Sequence, residues 1–253
     1  LRDVPRADGL DAVFVSYLER AVADQDYITN RYTRDDLTEI GRSVDIAFGN
    51  GEEHRHNFEG FGQGYGHVML LDLPELVQPV SIGPGIMKMG TDGLPLQRGI
   101  DNARRQNATI LWCHNKWGIE APANFVTGRV STMNIFDGGP HGSFKDSYYR
   151  YWNCGLPVSF STGTDWFIYD FSRVYARVGG DVTVKNWLKA LGDGKTFITN
   201  GPLLKLTVNR AGPGDSVEIS AGEKVRIEAE ALGRSDFGRI EIVRNGAVIA
   251  KSE

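Results

Sequence analysis

Short apolar runs, each bounded by glycine or polar residues, recur along the first two hundred residues of the chain. Three of them cover residues 43–48, 108–112 and 156–160. Runs of this length that are rich in β-branched and aromatic residues predict buried strands. Further strands are predicted at 11–16, 67–71, 130–136 and 173–178.

Helical patterns alternate with these runs, at 35–42, 97–106, 147–152 and 184–191. Strands that alternate with helices favour parallel βαβ units. About seven strands in such an order are typical of a barrel-like sheet, so the first part of the chain is predicted to be an α/β domain with a distorted β/α barrel. The helix at 97–106 is expected to pack its Ile100 and Ala103 side against the sheet.

The pattern changes after residue 200 to an alternation of apolar and polar positions with glycine-containing turns. Five such segments lie at 204–209, 216–220, 224–228, 239–244 and 247–250. This period of two predicts half-buried antiparallel strands. We therefore expect a barrel over residues 1–199 and a small all-β sandwich module over 200–253, which ends without an obvious closing strand.

Composition and charge narrow the classes of partner. The 253 residues are 41% hydrophobic with a net charge of −4, and the Lys and Arg residues are dispersed. The absence of a basic stripe speaks against a nucleic-acid partner. No apolar run approaches the roughly 20 residues that span a bilayer. A small-molecule substrate is expected, while the oligomeric state and the compartment stay open.

Residues that can bind metal follow the three apolar runs. Glu52 and Glu53 come after the first run, His114 after the second and Asp165 after the third. Because the carboxyl ends of the strands of a β/α barrel meet on one rim, this recurrence predicts a metal-dependent active site. Successive side chains of an extended backbone alternate, so only one of the two glutamates can face inward. A solvated acidic loop is the alternative.

Three other histidines leave more than one interpretation open. His54 and His56 form an H-x-H pair that suits a metal, but we favour a loop pair that orders the glutamates. His67 begins a predicted strand, where it is either a ligand or a hydrogen-bonded structural histidine.

Polar and aromatic residues on the same predicted rim are candidates for substrate binding. Asn115, Arg129 and Asp137 are expected to orient the substrate, although solvated loop residues give the same pattern. Trp117 and Trp166 are expected to line a pocket for an apolar or aromatic substrate. An arginine near the metals would favour a phosphate substrate.

Several short motifs occur in a fixed order along the chain. They begin at Gly51-Glu-Glu, Gly66-His-Val-Met-Leu-Leu, Trp112-Cys-His-Asn, Ser161-Thr-Gly-Thr-Asp-Trp and Thr199-Asn-Gly-Pro-Leu. Over about residues 10–250 this order resembles the PHP (polymerase and histidinol phosphatase) superfamily, and its CehA/McbA-type metallohydrolase branch most. The resemblance implies a distorted β/α barrel with two or three metal ions at its rim.

The resemblance also implies roles for individual residues. Glu53 would be the bridging carboxylate, and His67, His114 and Asp165 would be further metal ligands, with Glu53, His114 and Asp165 catalytic. The H-x-H motif that the family carries after its first strand is absent, which implies that this strand lies upstream of Leu1. The family often has a histidine where this chain has Phe167.

These observations predict a metal-dependent hydrolase that activates water against an ester, carbamate or phosphoester bond. The cofactors implied are divalent metal ions, and histidine with carboxylate ligands suits zinc, manganese or iron. The alternative is a non-catalytic ligand- or carbohydrate-binding protein on a degenerate barrel.

Overall fold

The structure is a computed structural model that describes residues 1–17, 32–56, 64–77, 94–115, 118–136, 148–163, 172–234 and 237–252. Its helices are α1 (Asp3–Ala7), α2 (Arg34–Val44), α3 (Leu96–Arg105), α4 (Ala121–Val126), α5 (Tyr148–Asn153) and α6 (Val184–Gly192). Its first eight strands are β1 (Ala12–Tyr17), β2 (Ala47–His56), β3 (Gly66–Leu71), β4 (Thr109–Trp112), β5 (Thr132–Phe136), β6 (Ser159–Thr162), β7 (Arg173–Ala176) and β8 (Thr196–Thr199). The last four are β9 (Leu203–Val208), β10 (Ile227–Leu232), β11 (Ile240–Arg244) and β12 (Ala247–Ser252).

A curled six-stranded sheet in the order β1-β2-β3-β4-β5-β6 forms the centre of the fold. The pairs β1–β2, β4–β5 and β5–β6 are parallel, as the alternation of strands and helices predicts. β3 runs antiparallel to both of its neighbours, β2 and β4, which the prediction of parallel units missed. The sheet is therefore mixed, and the start of β3 lies beside the ends of β2 and β4.

β2 differs most from its predicted strand at 43–48. Helix α2 continues through Val44, and Asp45 ends it with a left-handed backbone (φ 58°). The strand then runs from Ala47 to His56, because β1 pairs with its first half and β3 with its second half. Glu52 and Glu53 consequently lie inside a paired strand. The interpretation of these residues and of the following histidines as a loop was wrong.

The sheet buries apolar side chains on both faces. On one face Val68, Trp112 and their neighbours pack with Ile100 and Ala103 of α3, as the helical pattern predicts. On the other face the sheet packs against α6, in a cluster that comprises Leu71, Leu111, Leu188 and Leu191. Fully burying a side chain of this size stabilises the fold by about 1.5–3 kcal/mol. These two layers hold the sheet rigid beneath the rim.

The strand predicted at 173–178 does not join this sheet. It forms β7 and pairs antiparallel with β8, a strand that the sequence analysis did not identify. The hydroxyl of Thr196 in β8 donates to the carbonyl of Phe160 in β6 at 3.1 Å, which ties this ribbon to the edge of the main sheet. Among the described residues the main sheet thus has six strands, not seven.

The carboxyl-terminal residues form two antiparallel hairpins, β9–β10 and β11–β12. The turn between β11 and β12 is Asn245-Gly246, with φ of 53° and 85°, as its sequence indicates. The segment predicted at 216–220 is not a strand, because alternation produces a strand only where a neighbour supplies hydrogen bonds. The sandwich and the division at residue 199 stay predictions.

No described helix combines the length and hydrophobicity that crossing a bilayer requires.

Candidate metal centre

Three strands bring one glutamate and two histidines to the same point on the rim. Glu53 lies near the end of β2, His67 near the start of β3, and His114 just after β4. Because β3 is reversed, its first residues lie beside the last residues of β2 and β4, and Arg55 pairs with His67 across the ladder. The backbone N–H of Cys113 donates to the carbonyl of His67 at 2.9 Å and fixes the register on the other side.

The ligand atoms of these three side chains form a small triangle. Glu53 Oε1 lies 3.4 Å from His67 Nδ1 and 4.0 Å from His114 Nε2, and the two nitrogens are 2.9 Å apart. A point in the plane of the three atoms lies about 2.0 Å from each of them, which is the distance at which zinc binds imidazole nitrogen and carboxylate oxygen. The imidazole rings meet edge to face, with centroids 4.8 Å apart.

The backbone after β4 turns His114 towards this triangle. His114 and Asn115 both have a left-handed backbone, with φ of 54° and 53°. Two consecutive non-glycine residues in this region store strain, which persists only where the surroundings impose it. Here the N–H of Asn115 donates to the carbonyl of Asn134 at 3.1 Å and anchors the turn to β5. Asn115, predicted to bind substrate, is buried directly beside His114.

Close backbone packing supports the same arrangement. Gly66 (φ 128°) precedes His67, and Gly118 (φ 96°) follows the turn that carries His114. A methyl group on either glycine would collide with the Trp112 ring or with the other glycine. The buried Trp112 therefore holds the start of β3 and the loop after β4 together.

Glu53 is anionic across the whole neutral range. Burial raises the pKa of its carboxyl, but the charge of Arg55 and the contact with His67 outweigh burial, and the pKa lies at about 2. Nη1 of Arg55 is 3.2 Å from Glu53 Oε1. Even so, this buried oxygen accepts no hydrogen bond with good geometry among the described residues. A lone pair of the carboxylate is thus available for a cation.

His67 is held neutral. Burial lowers the pKa of its imidazole, and the attraction of Glu53 only partly opposes this. Its Nε2 is buried and has no hydrogen-bond partner within the described part of the chain. A neutral imidazole offers a lone pair to a metal, which an imidazolium does not.

The residues present fit a divalent metal ion. Glu53, His67 and His114 are a group whose ligand atoms lie within 4.8 Å of one another. Glu53 Oε1, one corner of the triangle, is buried without a hydrogen-bond partner among the residues described, whereas the unpaired nitrogen of His67 is Nε2 and not the Nδ1 of the triangle. Buried polar atoms in folded proteins are almost always satisfied, so the carboxylate oxygen indicates a missing ligand. Two imidazoles and a carboxylate suit zinc, manganese or iron.

Glu52 faces the opposite side of β2, in agreement with the expected alternation. Its Oε1 pairs with Nδ1 of His54 at 2.7 Å, and its Oε2 accepts from the backbone N–H of Val77 at 2.8 Å. Both side chains are almost completely buried, with 1% and 0% exposure. His54 therefore orders a glutamate and is not part of the cluster, whereas the side chain of His56 lies outside the described residues.

Arg129 is not on the rim. It precedes β5 and so lies at the amino end of that strand. His114 follows β4, which runs parallel to β5, and therefore lies at the opposite end of the sheet. Its guanidinium binds Asp101 at 2.9 Å and Thr127 at 2.7 Å. The prediction that placed it beside the metals was wrong because a residue before a parallel strand cannot reach that strand's carboxyl end.

Four other predicted site residues lie outside the described ranges, namely Trp117, Asp137, Asp165 and Trp166.

The arginine beside the cluster is Arg55, which the sequence analysis did not single out. The signal was present, because Arg55 stands two residues after Glu53 and an extended backbone places both on one face. Because the sequence analysis interpreted residues 52–56 as a loop, it did not identify Arg55 as a residue of the site.

Comparison with known proteins supports the fold. No protein-family profile matches the chain, and no curated protein matches its sequence. A solved structure that resembles it is a two-domain protein from Bacteroides vulgatus ATCC 8482 containing a predicted PHP-like metal-dependent phosphoesterase. The TM-score is 0.55 at 15% identity, and the match covers 78% of this chain and 58% of that one. The chain thus shares its fold with the matched part of that protein, and it spans less than two thirds of that protein's length.

Proposed function

We propose that the chain is a metal-dependent hydrolase in which Glu53, His67 and His114 bind divalent metal ions. The observation that carries the proposal is the triangle of ligand atoms, whose sides of 2.9, 3.4 and 4.0 Å suit a metal ion. The similarity of the fold to a protein containing a PHP-like phosphoesterase supports it. Bound there, a divalent ion supplies Lewis-acid polarisation and an activated water molecule.

The chain contributes charge, shape and rigidity to this chemistry. Glu53 presents a carboxylate that stays ionised at neutral pH, since its pKa is about 2. An imidazole binds a metal in its neutral form, so His67 and His114 would add no charge and a divalent cation bound with Glu53 would keep a net positive charge. The side chains of Glu53 and His114 retain 16% and 11% exposure, so neither is sealed completely from solvent.

Finer assignments extend the proposal to residues outside the described ranges. Asp165 is proposed as a further metal ligand and catalytic residue, with Trp117, Trp166 and Asp137 around the substrate. Resemblance to the CehA/McbA branch supports carbamate or carboxylic ester hydrolysis, whereas the phosphoesterase in the similar structure supports phosphoester hydrolysis. Parallel screens with aryl carbamates and phosphate monoesters separate the two.

Metal analysis of purified protein tests the proposal. The wild-type chain is expected to retain stoichiometric metal by mass spectrometry, and Glu53→Gln and His114→Ala are expected to lose it. Asp101→Asn is a matched control, because this carboxylate pairs with Arg129 away from the cluster. Zinc or manganese at 100 times its Kd should stabilise the wild type by about 2.7 kcal/mol. A folded wild type without metal would refute the hydrolase and leave a non-catalytic binding protein.

A further inference from the structure

Arg55 has one partner in the site and two donors that have none. Its Nη1 lies 3.2 Å from Glu53 Oε1. Its Nε and Nη2 are buried and have no hydrogen-bond partner among the described residues. A guanidinium stays protonated at any physiological pH, so both atoms carry hydrogens that need acceptors.

Leaving such donors unpaired is costly. A buried donor without an acceptor costs about 1–3 kcal/mol, and more when it belongs to a charged group. The 11% exposure of the Arg55 side chain does not extend to these two nitrogens. Such groups in a folded protein call for an acceptor, and a bound anion would supply one to both nitrogens.

The two unpaired donors lie on the same edge of the guanidinium. Nε–H and Nη2–H point in parallel, away from the aliphatic stem, and form a fork. That fork matches two oxygens of one phosphate or carboxylate group. The third nitrogen, Nη1, remains with Glu53 and fixes the orientation of the plane.

Arg55 is also on the correct face of the sheet. It follows Glu53 by two residues in β2, and it pairs with His67 across the ladder, so all three side chains project to one side. The fork opens on the edge of the guanidinium opposite Nη1, so an oxyanion held there would lie across the guanidinium from Glu53 Oε1.

We propose that Arg55 binds an oxyanion of the substrate side-on, at the edge of its guanidinium that faces away from Glu53. The inference rests on the proposed hydrolase and deepens it, because the site then selects substrates that carry a phosphate or carboxylate group over neutral carbamates and esters. Arg55 takes the role that the sequence analysis considered for Arg129.

Calorimetric titration of the metal-loaded chain with inorganic phosphate, and separately with acetate, tests this inference. Arg55→Gln is expected to weaken binding of the preferred anion by roughly 10- to 100-fold. Arg55→Lys keeps the charge but not the fork, so an intermediate loss is expected. Arg129→Gln is the matched control, because that guanidinium is paired with Asp101, and its titration should equal that of the wild type. Tighter binding of phosphate indicates a phosphate-bearing substrate, and tighter binding of acetate indicates a carboxylate-bearing one.

Metal content, measured on each variant, separates the possible failures. Arg55→Gln should retain the wild-type metal stoichiometry, since the guanidinium is not a ligand. Equal anion affinity in Arg55→Gln and wild type would overturn the inference. Loss of both metal and anion binding in Arg55→Gln would also overturn it, because Arg55 would then be only a counterion of Glu53. A wild type that holds metal but binds neither anion overturns the oxyanion site and leaves the hydrolase standing. A wild type without metal instead removes the hydrolase and, with it, this inference.

Discussion

The adjacent residues Glu52 and Glu53 should respond in different ways to the same change, from glutamate to glutamine. Glu52 is 1% exposed and holds two partners, the N–H of Val77 at 2.8 Å and Nδ1 of His54 at 2.7 Å. The amide of glutamine has the same shape but only one acceptor oxygen, so one of these contacts is lost or reversed. Glu53 instead faces the cluster and has a lone pair without a hydrogen bond among the described residues.

The expected cost of Glu52→Gln follows from this geometry. Loss of one buried hydrogen bond to a charged group destabilises a protein by about 1–3 kcal/mol. In a protein of this size each kcal/mol lowers the Tm by roughly 2–4 °C. Thermal unfolding of the metal-free protein should show this decrease, while the folded variant still binds metal, because Glu52 points away from the ligand atoms.

Glu53→Gln is the matched partner of this experiment. It should abolish stoichiometric metal binding, measured by mass spectrometry on the same preparations, since an amide is a poor metal ligand. An unchanged Tm in Glu52→Gln would show that the buried Glu52–His54 pair contributes nothing to the stability of the fold. Loss of metal from folded Glu52→Gln would show that the two faces of β2 are not independent, and the reasoning would fail.

Glycines that allow close packing give two further predictions, each measured by urea unfolding. Gly99→Ala should destabilise the protein by about 1–3 kcal/mol, because the added methyl group would collide with the His54 ring; a neutral effect would show that this ring moves freely. Gly118→Ala should cost at least as much and weaken metal binding, because the methyl group would collide with Gly66 beside the cluster. Gly128→Ala is its control, since it has a similar left-handed backbone with open space around it, and only the backbone cost of about 1–2 kcal/mol is expected.

The order of strands and helices was predictable from sequence because it depends on local patterns. The helix at 97–106 and the strands near 109 and 132 agree with the structure to within two residues. Strand direction is not a local property. Nothing in residues 67–71 shows that β3 pairs antiparallel with β2 and β4.

The candidate site shows the same division between local and long-range information. Glu53 and His114 were predicted from their positions after apolar runs, and the structure places them in one cluster. Arg129 was misplaced because the sequence does not state at which end of the sheet a loop lies. Arg55 was overlooked because β2 is longer than its apolar run, and pairing with β3 determines that length.

The reversal of β3 accounts for the chemistry of the site as well as for its geometry. In an all-parallel sheet, His67 at the start of its strand would lie at the opposite end from Glu53 and His114. The antiparallel pairing instead brings His67 opposite Arg55 and leaves Glu53 one position away on the same face. One topological feature thus brings two imidazoles, a carboxylate and a guanidinium to the same face of the sheet. A metal ion would satisfy the first three groups, and an oxyanion at the far edge of the guanidinium would satisfy the fourth.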